Sequence, residues 1–124
     1  MTNAMHLVYL QRPWLDQVLA GTKNSEFRVS KTRQPWWQTV YKGDLLLFCH
    51  RGRVHGMAEV QRAEWFSGSD TETALCAQYG ERPYWAGRAP NYAAVFHFGP
   101  VCPVSEMPPP AHGAPAAAWR LCLP

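Results

Sequence analysis

With 124 residues, 47% of them apolar and 17% charged, the chain is long enough to bury one core, too short for two, and not disordered overall. Its net charge of +3 is too small for tight, purely electrostatic binding of duplex nucleic acid. The charge is uneven: residues 1–62 carry nine Lys/Arg against four Asp/Glu, and residues 63–124 carry three against five, so an anionic partner is expected at the basic half.

The four cysteines, Cys49, Cys76, Cys102 and Cys122, include no C-x-x-C pair. That spacing reads as reduced thiols of a cytoplasmic protein and not as a disulfide framework. No signal-peptide pattern opens the chain and no apolar run reaches membrane-spanning length, so no membrane association is expected. Six Trp, five Tyr and five Phe supply either core volume or flat stacking surfaces.

In chain order, Met1–Ala4 reads as a loose leader. His6–Leu10 reads as a strand apolar on both faces, Leu7 and Tyr9 opposite Val8 and Leu10, which predicts a central position. Pro13–Ala20 predicts a helix: Pro13 suits a first turn, and Leu15, Val18 and Leu19 form one apolar stripe. Gly21 supplies the left-handed residue that closes it. Ser25–Ser30 is a second strand. The basic, Pro35-interrupted stretch Lys31–Gln38 is a loop carrying Trp36 and Trp37 side by side, of which at least one is expected at the surface or in a cleft.

Tyr41–Asp44 is a turn into the apolar strand Leu45–Cys49, and Arg51-Gly52-Arg53 is a hairpin turn. Val54–Glu64 is a longer strand. Val54, Gly56, Ala58 and Val60 share one face, alternating with His55, Met57, Glu59 and Gln61, and the small residues suit the inner face of a tightly curved barrel. Ser69 or Asp70 caps a helix that runs to about Tyr79 and closes at Gly80. Glu81–Asn91 is a loop with Tyr84 and Trp85, and Tyr92–Phe98 is a late strand. Residues 108–118 are Pro/Ala-rich and predicted extended; Trp119–Leu123 can dock back as a short strand.

The stretch from Gly21 to Arg28 concentrates Lys23, Glu26 and Arg28 where a helix ends and a strand begins. Strand alternation puts Glu26 and Arg28 on one face and Phe27 and Val29 on the other. The apolar pair suits a core, and the charged pair faces outward or into a cleft. The bland alternative is a surface turn with an ordinary exposed ion pair of little energetic weight. Gly21-x-Lys23-x-x-Glu26-x-Arg28 resembles the G-x-K-x-x-E-x-R signature of the ASCH domain family, of the PUA-like superfamily. The order of elements over residues 6–64 resembles that family too, and more weakly that over residues 65–105. The resemblance implies an α+β fold, a small PUA-like β-barrel flanked by two or three helices in one domain over residues 1–124. It also implies an RNA or modified-nucleoside partner.

No metal is expected, because Cys49, His50 and His55 lack zinc-ligand spacing and His6, His97 and His112 are scattered. No cofactor is called for. Ser25 shares a face with Phe27, away from Glu26, and no nucleophile motif surrounds any Ser or Cys. The Lys23–Glu26 pair remains. ASCH relatives include a small N4-acetylcytidine amidohydrolase that uses the signature lysine, a threonine three residues later and a more distant glutamate. This chain has Lys23 but Glu26 in place of the threonine, so a threonine route does not transfer; Glu64, Glu72 and Glu81 are candidates for the distant acid. Glu26 is then the expected base on water, weakened if its cations lower its pKa without opposing burial. Lys23 polarises the acyl carbonyl, Arg28 binds substrate oxygen or orients Glu26, and Trp36, Trp37, Tyr84 or Trp85 stacks on the base. The competing expectation is a non-catalytic RNA or modified-base binding module. Ribonuclease chemistry ranks last, since no His pair is placed for it.

Overall fold

A computed structural model describes residues 4–35 and 37–107. The expectations for the leader residues 1–3, Trp36, His112, the 108–118 segment, Trp119–Leu123 and Cys122 lie outside these residues. The elements are β1 (Met5–Tyr9), α1 (Trp14–Leu19), β2 (Ser25–Ser30), β3 (Leu45–His50), β4 (Arg53–Ser67), α2 (Thr71–Tyr79), β5 (Tyr92–Phe98) and β6 (Cys102–Met107). They form a six-stranded sheet in the order β1-β3-β4-β5-β2, with β6 also paired to β4. The sheet curls into a half-barrel carrying two helices, the α+β arrangement expected.

The curl follows from β4. Its first part pairs with β3 and β6 and its second part with β5, with register shifts between Val54 and Gly56 and between Val60 and Arg62. Extra residues of this kind bend and twist a strand. The first shift corrects the expected alternation: Val54 joins Met57 and Leu47 in an outer cluster, while Ala58 and Val60 face the inner core with Leu46, Phe48 and Phe96. Gly56 is needed for close approach, because a Cβ there would lie 2.7 Å from the Leu19 side chain of α1. β4 also runs to Ser67, three residues past its expected end, where Phe66 packs beneath α2.

β1 is not central. It pairs in parallel with β3 alone, and Leu7 and Tyr9 are 39% and 59% exposed. Both faces are apolar because one packs on the core and the other lines the open seam between β1 and β2, the two ends of the sheet. Phe27 and Val29 pack, as expected, in a core, a second one on the outer side of the sheet around Trp85, Leu75 and Val95. Each fully buried large apolar side chain there contributes about 1.5–3 kcal/mol.

The end of α1 fixes the start of β2. Gly21 takes φ +79°. The Gly21 amide donates to Val18 O at 3.1 Å and the Thr22 amide to Gln17 O at 3.0 Å, a Schellman closure. The Lys23 amide adds a third bond to Gln17 O at 3.2 Å. Asp70 precedes α2 without a side-chain cap bond; Thr71 Oγ1 donates to Gly68 O at 2.8 Å instead. No described helix is long and apolar enough to cross a membrane.

Candidate functional site

Because α1 ends as it does, Lys23 emerges directly before β2, and the strand pleat turns Glu26 and Arg28 to the face carrying Phe96. Glu26 is 7% exposed, which excludes the ordinary surface ion pair. Lys23 Nζ lies 3.7 Å from Glu26 Oε2, and Arg28 Nε lies 3.6 Å from Glu26 Oε1. Both separations exceed a hydrogen bond. Lys23 Nζ donates to its neighbour Ser25 O at 2.7 Å, and Glu26 Oε2 is buried without a hydrogen-bond partner among the described residues. An orphaned buried carboxylate oxygen is costly and marks places where fold stability is not the only demand.

Leu10, Trp14, Phe27 and Tyr84 line a partly open cavity of about 60 Å³ beside the pair, room for one or two small groups. The walls are apolar, so withdrawal from water dominates the electrostatics. Burial pushes the Glu26 carboxyl above its ordinary range, against the pull of Lys23 and Arg28. Burial pushes the Lys23 ammonium down, opposed by Glu26 and assisted by Arg82 and Arg28. The concern that flanking cations would leave Glu26 a poor base is answered by this chamber: desolvation wins. Phe27 forms its cationic wall, with Lys23 Nζ 5.6 Å and Arg82 Cζ 4.8 Å from the ring centroid.

The expected site residues divide. Arg28 reaches a second cavity of about 400 Å³ in the β1/β2 seam, with Tyr9, Thr39 and Phe96. Tyr84 lines the chamber, its ring edge-on to Trp14 at 5.9 Å. Trp37 lies elsewhere, in a groove against Tyr92 and Trp65 with centroids 5.2 and 5.3 Å away. Trp85 is fully buried, packed on Phe27 with its Nε1 donating to Gly80 O at 3.1 Å. It has no face to offer a base, so its expected stacking role is withdrawn.

None of the three candidate acids lines the chamber. Glu72 accepts from the Ala89 amide at 2.8 Å, and Glu81 is exposed in the loop after α2. Glu64 pairs in register with Val95, on the opposite face of the sheet from Glu26. It accepts hydrogen bonds from Tyr79 Oη, from His97 Nε2 at 2.5 Å and from Gln78 Nε2 at 2.7 Å, with Arg62 at 3.3 Å. Burial opposes its ionisation, yet these donors hold its carboxyl below the ordinary range, and burial and Glu64 push the Tyr79 phenol up to about 12.

Trp14, Leu10 and Phe27 are wall residues that sequence reading did not assign. The available signal was Trp14, an aromatic at the start of the helix whose far end delivers Lys23. Among the described residues no group of three His, Cys, Asp or Glu is placed to hold a metal ion.

No family model matches the chain, and no curated protein does. Solved structures do. An ASCH protein from Zymomonas mobilis superposes with a TM-score of 0.63 at 13% identity, over 84% of this chain and 73% of that one. A point variant of that protein superposes at 0.65 with 14% identity, over 86% and 76%. The half-barrel with its two helices is therefore the ASCH fold, and the chain carries at Gly21, Lys23, Glu26 and Arg28 every defined residue of the signature it resembles.

Proposed function

We propose that this protein is an amidohydrolase that removes a small acyl group from an N4-acylated cytidine or a related modified nucleoside. The observation that carries the reading is the Lys23–Glu26 pair, walled in by apolar side chains with one Glu26 oxygen unpartnered. A water beside Glu26 Oε2 loses its proton to the carboxylate and attacks the acyl carbonyl carbon. The electron pair of the carbonyl moves to oxygen, and the Lys23 ammonium stabilises that charge. Glu26 then returns its proton to the departing exocyclic nitrogen, and the C–N bond breaks to give the free amine and a carboxylic acid, which loses its remaining proton to water. A carboxyl whose pKa is raised toward the working pH is a stronger base than an ordinary one. The chamber accommodates the acyl group, the base meets Tyr84 and Trp14 at the rim, and Arg28 offers hydrogen bonds to sugar oxygens.

The test is the ultraviolet spectrum of N4-acetylcytidine incubated with the protein. Conversion to the cytidine spectrum, lost in Lys23→Ala, is the expected result. No conversion at high protein concentration overturns the catalytic reading. Quenching of Trp fluorescence by the intact nucleoside would then favour a non-catalytic binding module, the reading suited to the roomier Arg28 cavity.

A further inference from the structure

β1 ends the sheet, and among the described strands it pairs with β3 alone. The Ala4 carbonyl accepts from the Leu45 amide at 3.0 Å, and the Leu10 amide donates to the Cys49 carbonyl at 2.9 Å. Backbone groups alternate sides along a strand, so those of Met5, Leu7 and Tyr9 point away from β3 into the open seam. All five residues of β1 line the seam cavity of about 400 Å³. Nothing in β1 discourages a further strand. Free edges are ordinarily blunted by charge, proline or a bulge. Met5–Tyr9 contains no Lys, Arg, Asp, Glu or Pro, holds an unbroken register with β3, and leaves Leu7 and Tyr9 exposed.

One stretch of the chain outside the described residues matches this edge. Trp119-Arg120-Leu121-Cys122-Leu123 is as long as β1, and Trp119, Leu121 and Leu123 alternate with Arg120 and Cys122. The stretch holds no Pro or Gly, whereas Pro108, Pro109, Pro110 and Pro115 precede it and cannot donate to a ladder. The last described residue stands at the level of the Tyr9 end of β1. Met107 pairs with Val54, Val54 with Cys49 and Cys49 with Tyr9. Met107 is therefore three strand spacings from Tyr9, about 14 Å. Residues 108–118, extended at ~3.1 Å per residue, reach about 34 Å, enough to cross the end of the sheet. β6 runs in the same direction as β1, so a chain that turns back there enters beside Tyr9 and runs antiparallel toward Met5.

We propose that Trp119–Leu123 adds to the free edge of β1 as an antiparallel strand, with Trp119 opposite Tyr9, Leu121 opposite Leu7 and Leu123 opposite Met5. In this register the large apolar side chains of both strands share the outer face of the sheet, where Met5 already packs on Leu47 and Met57. Arg120 and Cys122 fall opposite Val8 and His6. A slip of one residue would turn Trp119 and both leucines to the other face, so the apolar pattern fixes the register. The added strand walls the seam cavity into which Arg28 reaches and carries the half-barrel toward closure. It is independent of the proposed reaction.

Amide hydrogen exchange by NMR, on the full chain and on Leu121→Asp, tests this. The Leu7 amide should exchange at least tenfold more slowly in the parent than in the variant, which puts a charge on the apolar face. The His6 and Val8 amides, directed at β3, should be unchanged and report that the variant is folded. In the parent alone, an amide-to-amide nuclear Overhauser contact between Leu7 and Leu121 is expected, because residues so paired exchange both backbone bonds. Equal exchange of the Leu7 amide in the two proteins, or the lack of that contact, overturns the proposal. Protection of Leu7 that grows with protein concentration assigns the edge to a second copy of the chain and overturns it as well.

Discussion

Glu26 and Glu64 are carboxylates on opposite faces of one curled sheet, and their surroundings drive them apart. Glu64 is met by Tyr79, His97, Gln78 and Arg62. It ties the end of α2 to β4 and β5, and its carboxyl titrates below the ordinary range. Glu26 has two cations just beyond hydrogen-bond range and one oxygen with no partner among the described residues, and its carboxyl titrates above that range. Glu26 is the more deeply buried of the two and lacks donors, whereas Glu64 is less buried and has its donors, so burial and the supply of donors together drive them apart. A carboxylate whose hydrogen bonds are complete is a fastening, whereas one left short of donors retains basicity to use on a ligand.

Paired substitutions should break this symmetry most visibly in activity. Glu26→Gln is expected to lower kcat for N4-acetylcytidine by about 10²–10⁴-fold, the usual weight of a general base, with a melting temperature equal to or above that of the parent. Glu64→Ala should leave kcat within a few-fold and instead destabilise the fold by about 1–3 kcal/mol, because Tyr79 and His97 lose their acceptor. Thermal melts and the spectroscopic assay on the two variants check both halves. Loss of stability in Glu26→Gln with retained activity would reverse the assignment.

A smaller effect sharpens the same contrast through pH. The folded-state pKa of Glu64 lies below its unfolded value of 4.5, so the stability it contributes is present above that value and is lost as pH falls through the folded pKa. For Glu26 the folded pKa is raised. Its contribution is complete below 4.5 and is lost as pH rises through the folded value. Urea unfolding across the acid range should therefore show the advantage of the parent over Glu64→Ala growing with pH and its advantage over Glu26→Gln shrinking. Parallel trends in the two comparisons would contradict the two environments described.

Much of this was legible in the sequence because it is written in local signals. Gly21 after an apolar helical stripe marks the end of α1, and strand alternation separates Glu26 and Arg28 from Phe27 and Val29. Tyr92–Phe98 is the β5 found, and Gly80 closes α2 as expected. What was not legible depends on contacts remote in sequence. The apolar faces of β1 do not reveal that it ends the sheet. The register shift after Val54 leaves no mark on composition, and the final strand β6, Cys102–Met107, contains Pro103 and little alternation. The burial of Glu26 is set by Leu10, Trp14 and Tyr84, which reach it from three separate segments. An aromatic in the loop after α2 reads equally as a wall or as core; Tyr84 is the first and Trp85 the second.

The most direct measurement is a ¹³C NMR titration of the glutamate side-chain carboxyls, with Glu26 and Glu64 assigned by substitution. Glu26 is expected to titrate above 4.5 and Glu64 below it. A Glu26 carboxyl that titrates at or below Glu64 would mean that its cations, and not its burial, govern it, and the proposed base would be lost.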